Sequence, residues 1–177
     1  PIDFNAETVT YEFLVEMDFA PSASNFAIVR LIDSRVQPEV REVELRFGGM
    51  SGSDDRLEVT FRSGSDEVGM LTGTLGALGS APAIVRFRLV NSEEEWVLFA
   101  DYSGGTDYVL QSQTMVEFPI SPDSLALNCR YTSTRADRFS FDDLNVMSSA
   151  VVDENPPVLT GSEILGEDQV QLVFSEA

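Results

Sequence analysis

Two adjacent aspartates, Asp142 and Asp143 in the stretch DRFSFDDLNV, are the residues of this 177-residue chain whose type and spacing point most directly to chemistry. Phe139 and Phe141 alternate with polar neighbours before the pair, and Leu144 and Val146 alternate after it, so the apolar phase moves by one residue across the carboxylates. A strict strand would turn one carboxylate towards the phenylalanine face, where an unpartnered charge is costly. The phase change instead predicts a β-bulge that tilts both side chains to the sheet edge. Three chemistries are open to such a pair. Water or hydrogen bonds from Arg135, Arg138 or nearby backbone would satisfy it; a structural Ca²⁺ would recruit it into a shell of hard oxygens; a catalytic role is the third. For calcium, the partners expected are Asp54 and Asp55 of the acidic loop SGSDD.

The arginines offer a second kind of chemistry. Arg46, Arg62, Arg86, Arg88 and Arg130 all fall on the polar phase of their strands, interleaved with Glu42, Glu44, Glu58 and Asn128. On a shared sheet they would form a rigid face of planar donors and acceptors, suited to sugar hydroxyls or, through bidentate guanidinium contacts, to carboxylated or sulfated glycans. An ordinary solvated sheet face is the competing reading. Carbohydrate sites add an aromatic platform. The lone Trp96 is in phase with Leu98 and reads as core, whereas Tyr102 and Tyr108, on either side of a Gly-Gly turn, are the expected exposed pair. The acid pairs Glu42/Glu44 and Glu16/Asp18 have the i,i+2 spacing of a glycosidase strand, which needs two carboxylates flanking the bond. They are expected to form cross-strand ion pairs with arginine instead. Glu93, Glu94 and Glu95 read as a solvated turn.

Absences narrow the chemistry. The chain has no histidine, and its 11 basic residues are all arginine. Within this chain that excludes Ser-His-Asp triads, histidine-bound zinc, lysine Schiff bases and the lysine of a phosphate-binding loop. Cys129 stands alone, in phase with Leu125 and Leu127, and is expected to be a small core residue. A net charge of -19 opposes nucleic acid, which is bound by releasing counterions from phosphates. No apolar run has the length of a membrane span. The opening PIDFNAETVTYEF reads as a boundary inside a longer protein.

Strands must position these residues. YEFLVEMDF, REVELRF, RLEVTFR and APAIVRFRLV alternate with period two, one face for the core and one for water. NFAIVRLID is apolar on both faces apart from Arg30. Between the strands lie turn sequences, and DYSGGTDY joins EWVLFADY to DYVLQS as a hairpin. With no amphipathic helix among them, these strands predict an all-β, antiparallel β-sandwich. The composition changes at MSSAVVDENPPVLTG, where a Pro-Pro pair breaks sheet structure. The expected organisation is a sandwich over residues 1–147, a linker over 148–157, and the start of a second β-domain over 158–177.

The blocks YEFLVEMDFAPSASNFAIVRLIDS, WVLFADYSGGTDYVLQ and CRYTSTRADRFSFDDLNV, in that order, resemble a concanavalin A-like (laminin-G-type) jelly-roll module of large secreted and surface proteins of Bacteroidota. The tail DENPPVLTGSEILGEDQVQLVFSEA resembles the opening of the Ig-like modules that follow it. The resemblance implies an extracellular or cell-surface setting, neighbouring modules in the same chain, and adhesion or glycan binding more than catalysis. It also implies a calcium at the acidic last strand and a further strand upstream of Pro1. The expectation is therefore a non-catalytic, calcium-stabilised module that binds a polysaccharide or surface glycan, without nucleic acid and without membrane insertion. A spacer module without a ligand and a polysaccharide-degrading domain are the alternatives.

Overall fold

The computed structural model describes residues 8–36, 38–52, 54–117 and 120–149, and the backbone of two later strands, 159–166 and 169–174. Ten strands build two antiparallel five-stranded sheets. Sheet A has the order β10-β1-β6-β7-β8, from β10 (Phe139–Ser148), β1 (Thr8–Met17), β6 (Ala83–Ser92), β7 (Glu95–Asp101) and β8 (Val109–Met115). Sheet B has the order β5-β4-β3-β2-β9, from β5 (Asp66–Thr72), β4 (Leu57–Ser63), β3 (Arg41–Phe47), β2 (Phe26–Asp33) and β9 (Ser124–Arg130). The all-β, antiparallel sandwich read from the alternation is the observed architecture. One 3₁₀ turn, Ser133–Arg135, links β9 to β10.

The core is made by the alternating residues themselves. Val9, Tyr11, Phe13, Val15 and Met17 of β1 meet Val43, Leu45, Phe47, Leu57, Val59 and Phe61 of sheet B through a closed apolar layer. Phe13 stacks on Phe87 at 5.2 Å between ring centres, Phe87 meets Phe47 at 5.6 Å, and Phe61 meets Trp96 at 5.1 Å. Trp96 is core, as its phase predicts. Fully burying each such side chain contributes roughly 2–3 kcal/mol, enough to hold two amphipathic sheets face to face.

The two long edges of the sandwich differ. At one, β5 and β8 are tied together: the Ser112 hydroxyl accepts the Thr72 N–H and donates to the Thr72 carbonyl, both at 2.9 Å. At the other, β9 and β10 stand apart, and their inward-phase residues are left open: Leu125, Leu127 and Leu144 are 38, 43 and 53% exposed. Cys129 shares that phase but is only half-buried, because the core it was expected to join is uncovered there.

The last strands, β11 (Leu159–Gly166) and β12 (Gln169–Phe174), pair only with each other and lie in neither sandwich sheet. They fall in the stretch read as a second β-domain. The Pro-Pro boundary and the segment upstream of Thr8 lie outside the described residues.

Candidate functional site

The predicted bulge is present in β10. Glu12 pairs with Asn145 and Leu14 with Asp142, so Asp143 and Leu144 together oppose the single residue Phe13. Asp143 takes a left-handed backbone with φ 51°, a conformation that aspartate tolerates better than most residues because its short side chain bonds locally. Both carboxylates are exposed at the sheet edge. Of the partners expected, nearby backbone serves Asp142, whereas neither Arg135 nor Arg138 pairs with the two carboxylates. Arg86, two strands away across β1, donates to Asp143 Oδ2, and Asp142 Oδ1 accepts the Asp143 N–H at 2.7 Å. Arg138 lies nearer Asp18, at 3.7 Å, and the Arg135 guanidinium covers the Phe19 ring at 4.9 Å.

Asp54 and Asp55 do not join this pair. They lie in the β3–β4 loop of the opposite sheet. Asp54 is exposed, whereas Asp55 is fully buried and accepts the Met50 N–H at 2.8 Å through Oδ1, bracing a turn that runs through Gly48 and Gly49 at φ 85° and 89°. Among the described residues no three acidic side chains converge as metal ligands. With the Arg86 guanidinium seated against Asp143, the carboxylates do not fit a calcium shared between them.

Arg86 also marks the face that carries the richest geometry, the outer surface of sheet A. Its rows can be read off the strand pairing. Met147, Thr10, Val90, Val97 and Gln113 form one row; Asn145, Glu12, Arg88, Phe99 and Leu110 form the next. The first row and its neighbours make an open trough of about 480 Å³ lined by Thr10, Arg88, Val90, Val97, Phe99 and Met147. An aliphatic and aromatic floor beside an arginine is unusual for a solvent face, whose strands otherwise alternate to polar residues.

Beyond Arg88, a loop packs on the same face of sheet A. After β7, Asp101 Oδ1 accepts the N–H and hydroxyl of Ser103 at 2.8 and 2.6 Å, and Oδ2 accepts the Asp107 N–H at 2.9 Å. Those bonds, led by the Ser103 hydroxyl, hold the Asp101 carboxyl below its ordinary range and fold the YSGGTD segment back over the sheet. Gly104, at φ 79°, lies so close to the sheet that a Cβ there would be 2.7 Å from Ile84 Cγ2. Its carbonyl accepts Arg86 Nε at 3.1 Å.

The loop then delivers Tyr108 onto Arg88. The guanidinium lies 4.1 Å from the ring centre and donates through Nε and Nη2 to Glu12 Oε2, each at 3.1 Å. Burial first, and the adjacent Glu12 carboxylate second, push the Tyr108 phenol up to about 12. Its buried hydroxyl nevertheless makes no hydrogen bond of good geometry. The result is a cluster of alternating charge, Glu12–Arg88 under the Tyr108 ring and Asp143–Arg86 beside the Gly104 carbonyl.

Of the expected ligand residues, Arg86, Arg88 and Tyr108 are thus brought together. Arg130 is not: it lies on sheet B, 5.7 Å from the Phe26 ring, and so does the rest of the expected arginine face, Arg46 and Arg62. Tyr102 turns to the closed edge, where its hydroxyl accepts the Thr74 N–H at 3.1 Å. The two tyrosines flanking the Gly-Gly turn are therefore not an exposed pair, because the loop folds one over the sheet and the other beneath it. On sheet B the acids pair with arginines as expected: Arg30 with Glu44 at 2.7 Å, Arg46 with Glu58 at 3.4 Å, and Arg62 with Glu42 at 3.9 Å.

Three members of the site carried weaker signals. Phe99 and Val97 belong to a strand that is apolar on both phases, WVLFA, and that double run marks an outer face needing cover. Glu12 becomes notable only once Arg88 is its neighbour.

No family model matches the chain, and no curated protein matches it. Among solved structures, it is similar to a functionally unknown protein from Saccharomyces cerevisiae, with 10% identity over 82% of this chain and 71% of that one, and a TM-score of 0.47.

Proposed function

We propose that this chain is a non-catalytic extracellular binding or adhesion module that holds a polysaccharide or surface glycan on the outer face of sheet A. The trough beside Arg88 carries the reading. Val90, Val97 and Phe99 supply an apolar floor for the C–H face of a sugar ring, and the Arg88–Glu12 pair beside it supplies planar donors and acceptors for hydroxyls. Each carboxylate of the cluster is held by an arginine, an arrangement for recognition rather than for a pair of carboxyls sharing a bond-cleaving task. The acidic composition and the resemblance of the DRFSFDDLNV block to surface modules support the extracellular setting.

Affinity electrophoresis against a panel of neutral and acidic polysaccharides tests the proposal. A retarded band that is lost in Phe99→Ala and Arg88→Ala, both checked for an unchanged circular dichroism spectrum, is the expected result. A panel in which nothing retards the chain, or binding that both variants preserve, would leave the spacer reading in its place.

A further inference from the structure

The open edge of the sandwich carries a second surface, independent of the trough. Edge strands expose unpaired N–H and C=O groups, and proteins defend them with bulges, charges or proline. Strand β10 has such a defence: the bulge at Asp143 and Leu144 breaks its rhythm and sets two carboxylates on the rim. Strand β9 has none. It pairs with β2 without a register shift from Ser124 to Arg130, contains no proline, and among the described residues has no neighbour on its other side. Leu125 and Leu127 point into the sandwich yet are 38 and 43% exposed, and a cleft of about 160 Å³ opens at Leu125, lined also by Tyr11, Leu31, Leu144 and Val146.

Charge is distributed along this edge in a self-complementary way. Three of the chain's 11 arginines, Arg130, Arg135 and Arg138, follow at or beyond the end of β9. Its start carries Asp123, which the Ser34 hydroxyl and N–H and the Ser124 hydroxyl hold in its ionised form. An antiparallel copy laid along β9 brings the basic end of one chain to the acidic end of the other.

We propose that two copies of this chain associate edge to edge through β9, antiparallel about a two-fold axis at Leu127, so that sheet B continues across the dimer. Centring on Leu127 pairs all seven residues of the strand. Leu127 then meets its own copy, and Leu125 faces Cys129 of the partner subunit, which closes the inward apolar row. The defended β10 takes no part. Repulsion between two chains of charge -19 is long-range and screened by salt, so association strengthens as salt rises, within the range where the local pairs survive.

The register makes the proposal testable by a disulfide. Residues directly opposite in an antiparallel pair have Cα atoms about 4.5–5.5 Å apart, within the span a disulfide bridges. Within one chain, by contrast, position 125 lies roughly 13 Å along the strand from Cys129, too far for an internal bond. Mild oxidation of Leu125→Cys is therefore expected to give a covalent dimer that is absent from the parent and from Leu125→Cys/Cys129→Ser. In sedimentation velocity the parent is expected to dimerise with rising concentration. Leu127→Arg, a change at an exposed position, sets two like charges on the axis and is expected to weaken the dimer at least about tenfold. A parent that stays monomeric at every concentration would overturn the proposal. So would a Cys129–Cys129 disulfide in the parent, which needs a different register.

Discussion

Alanine at Gly104 should destabilise the protein more than alanine at Gly52, and the difference measures how tightly the β7–β8 loop lies on sheet A. Both glycines have left-handed backbones, φ 79° and 83°, so each substitution carries a backbone cost of about 1 kcal/mol. At Gly52 nothing lies within 4 Å of the new Cβ. At Gly104 the new Cβ would stand 2.7 Å from Ile84 Cγ2, a methyl on a β-branched side chain with little rotamer freedom. Overpacking of that kind adds about 1–3 kcal/mol. The expected losses are thus about 1 kcal/mol for Gly52→Ala and about 2–4 kcal/mol for Gly104→Ala. At about 2–4 °C per kcal/mol for a chain of this size, thermal melts should separate the two clearly. Adding Ile84→Ala to Gly104→Ala should return about 1 kcal/mol relative to the sum of the single changes. Equal losses at the two glycines, with no coupling to Ile84, would refute the packing of the loop and with it the placement of Tyr108 over Arg88.

Three other outcomes follow from the same geometry. Ser112→Ala removes both bonds to Thr72 and should cost about 1–2 kcal/mol in urea unfolding by loosening the closed edge; an unchanged midpoint would show the edge is held by packing alone. The folded state lowers the Asp101 carboxyl from 3.8, so its contribution is complete above that value and fades as pH falls through the lower folded value. The stability gap between the parent and Asp101→Asn should therefore narrow below about pH 3.8 and stay constant above about pH 5, and a gap independent of pH would refute the loop's hydrogen bonding. Finally, the Arg86 ion pair at Asp143 predicts the same melting midpoint in calcium as in EDTA. A site filled to about 100 times its dissociation constant would add roughly 2.7 kcal/mol, so a calcium-specific rise lost in Asp142→Asn/Asp143→Asn would show that a metal displaces the guanidinium.

Local sequence determined a great deal. Period-two alternation assigned the residues of YEFLVEMDF and REVELRF to the core or to the outer face, because successive strand side chains point to opposite faces. In RLEVTFR it placed Leu57, Val59 and Phe61 in the core, but Glu58 and Thr60, expected in water, are buried as well. The same logic predicted a bulge at the acidic pair from a one-residue change of phase, which the structure sets at Asp143 and Leu144, and placed Trp96 in the core. It was silent on which strands become neighbours. That choice joins residues far apart in sequence, such as β1 with β10 and β6, and is made by the packing of whole sheets. Tertiary structure alone therefore decided that Arg86 meets Asp143 and that Arg88 lies between Glu12 and Tyr108. It also sent Arg130 to the other sheet and, among the described residues, left the outer edge of β9 unpaired. A strand's phase is a property of its own backbone, whereas its neighbours are a property of the fold.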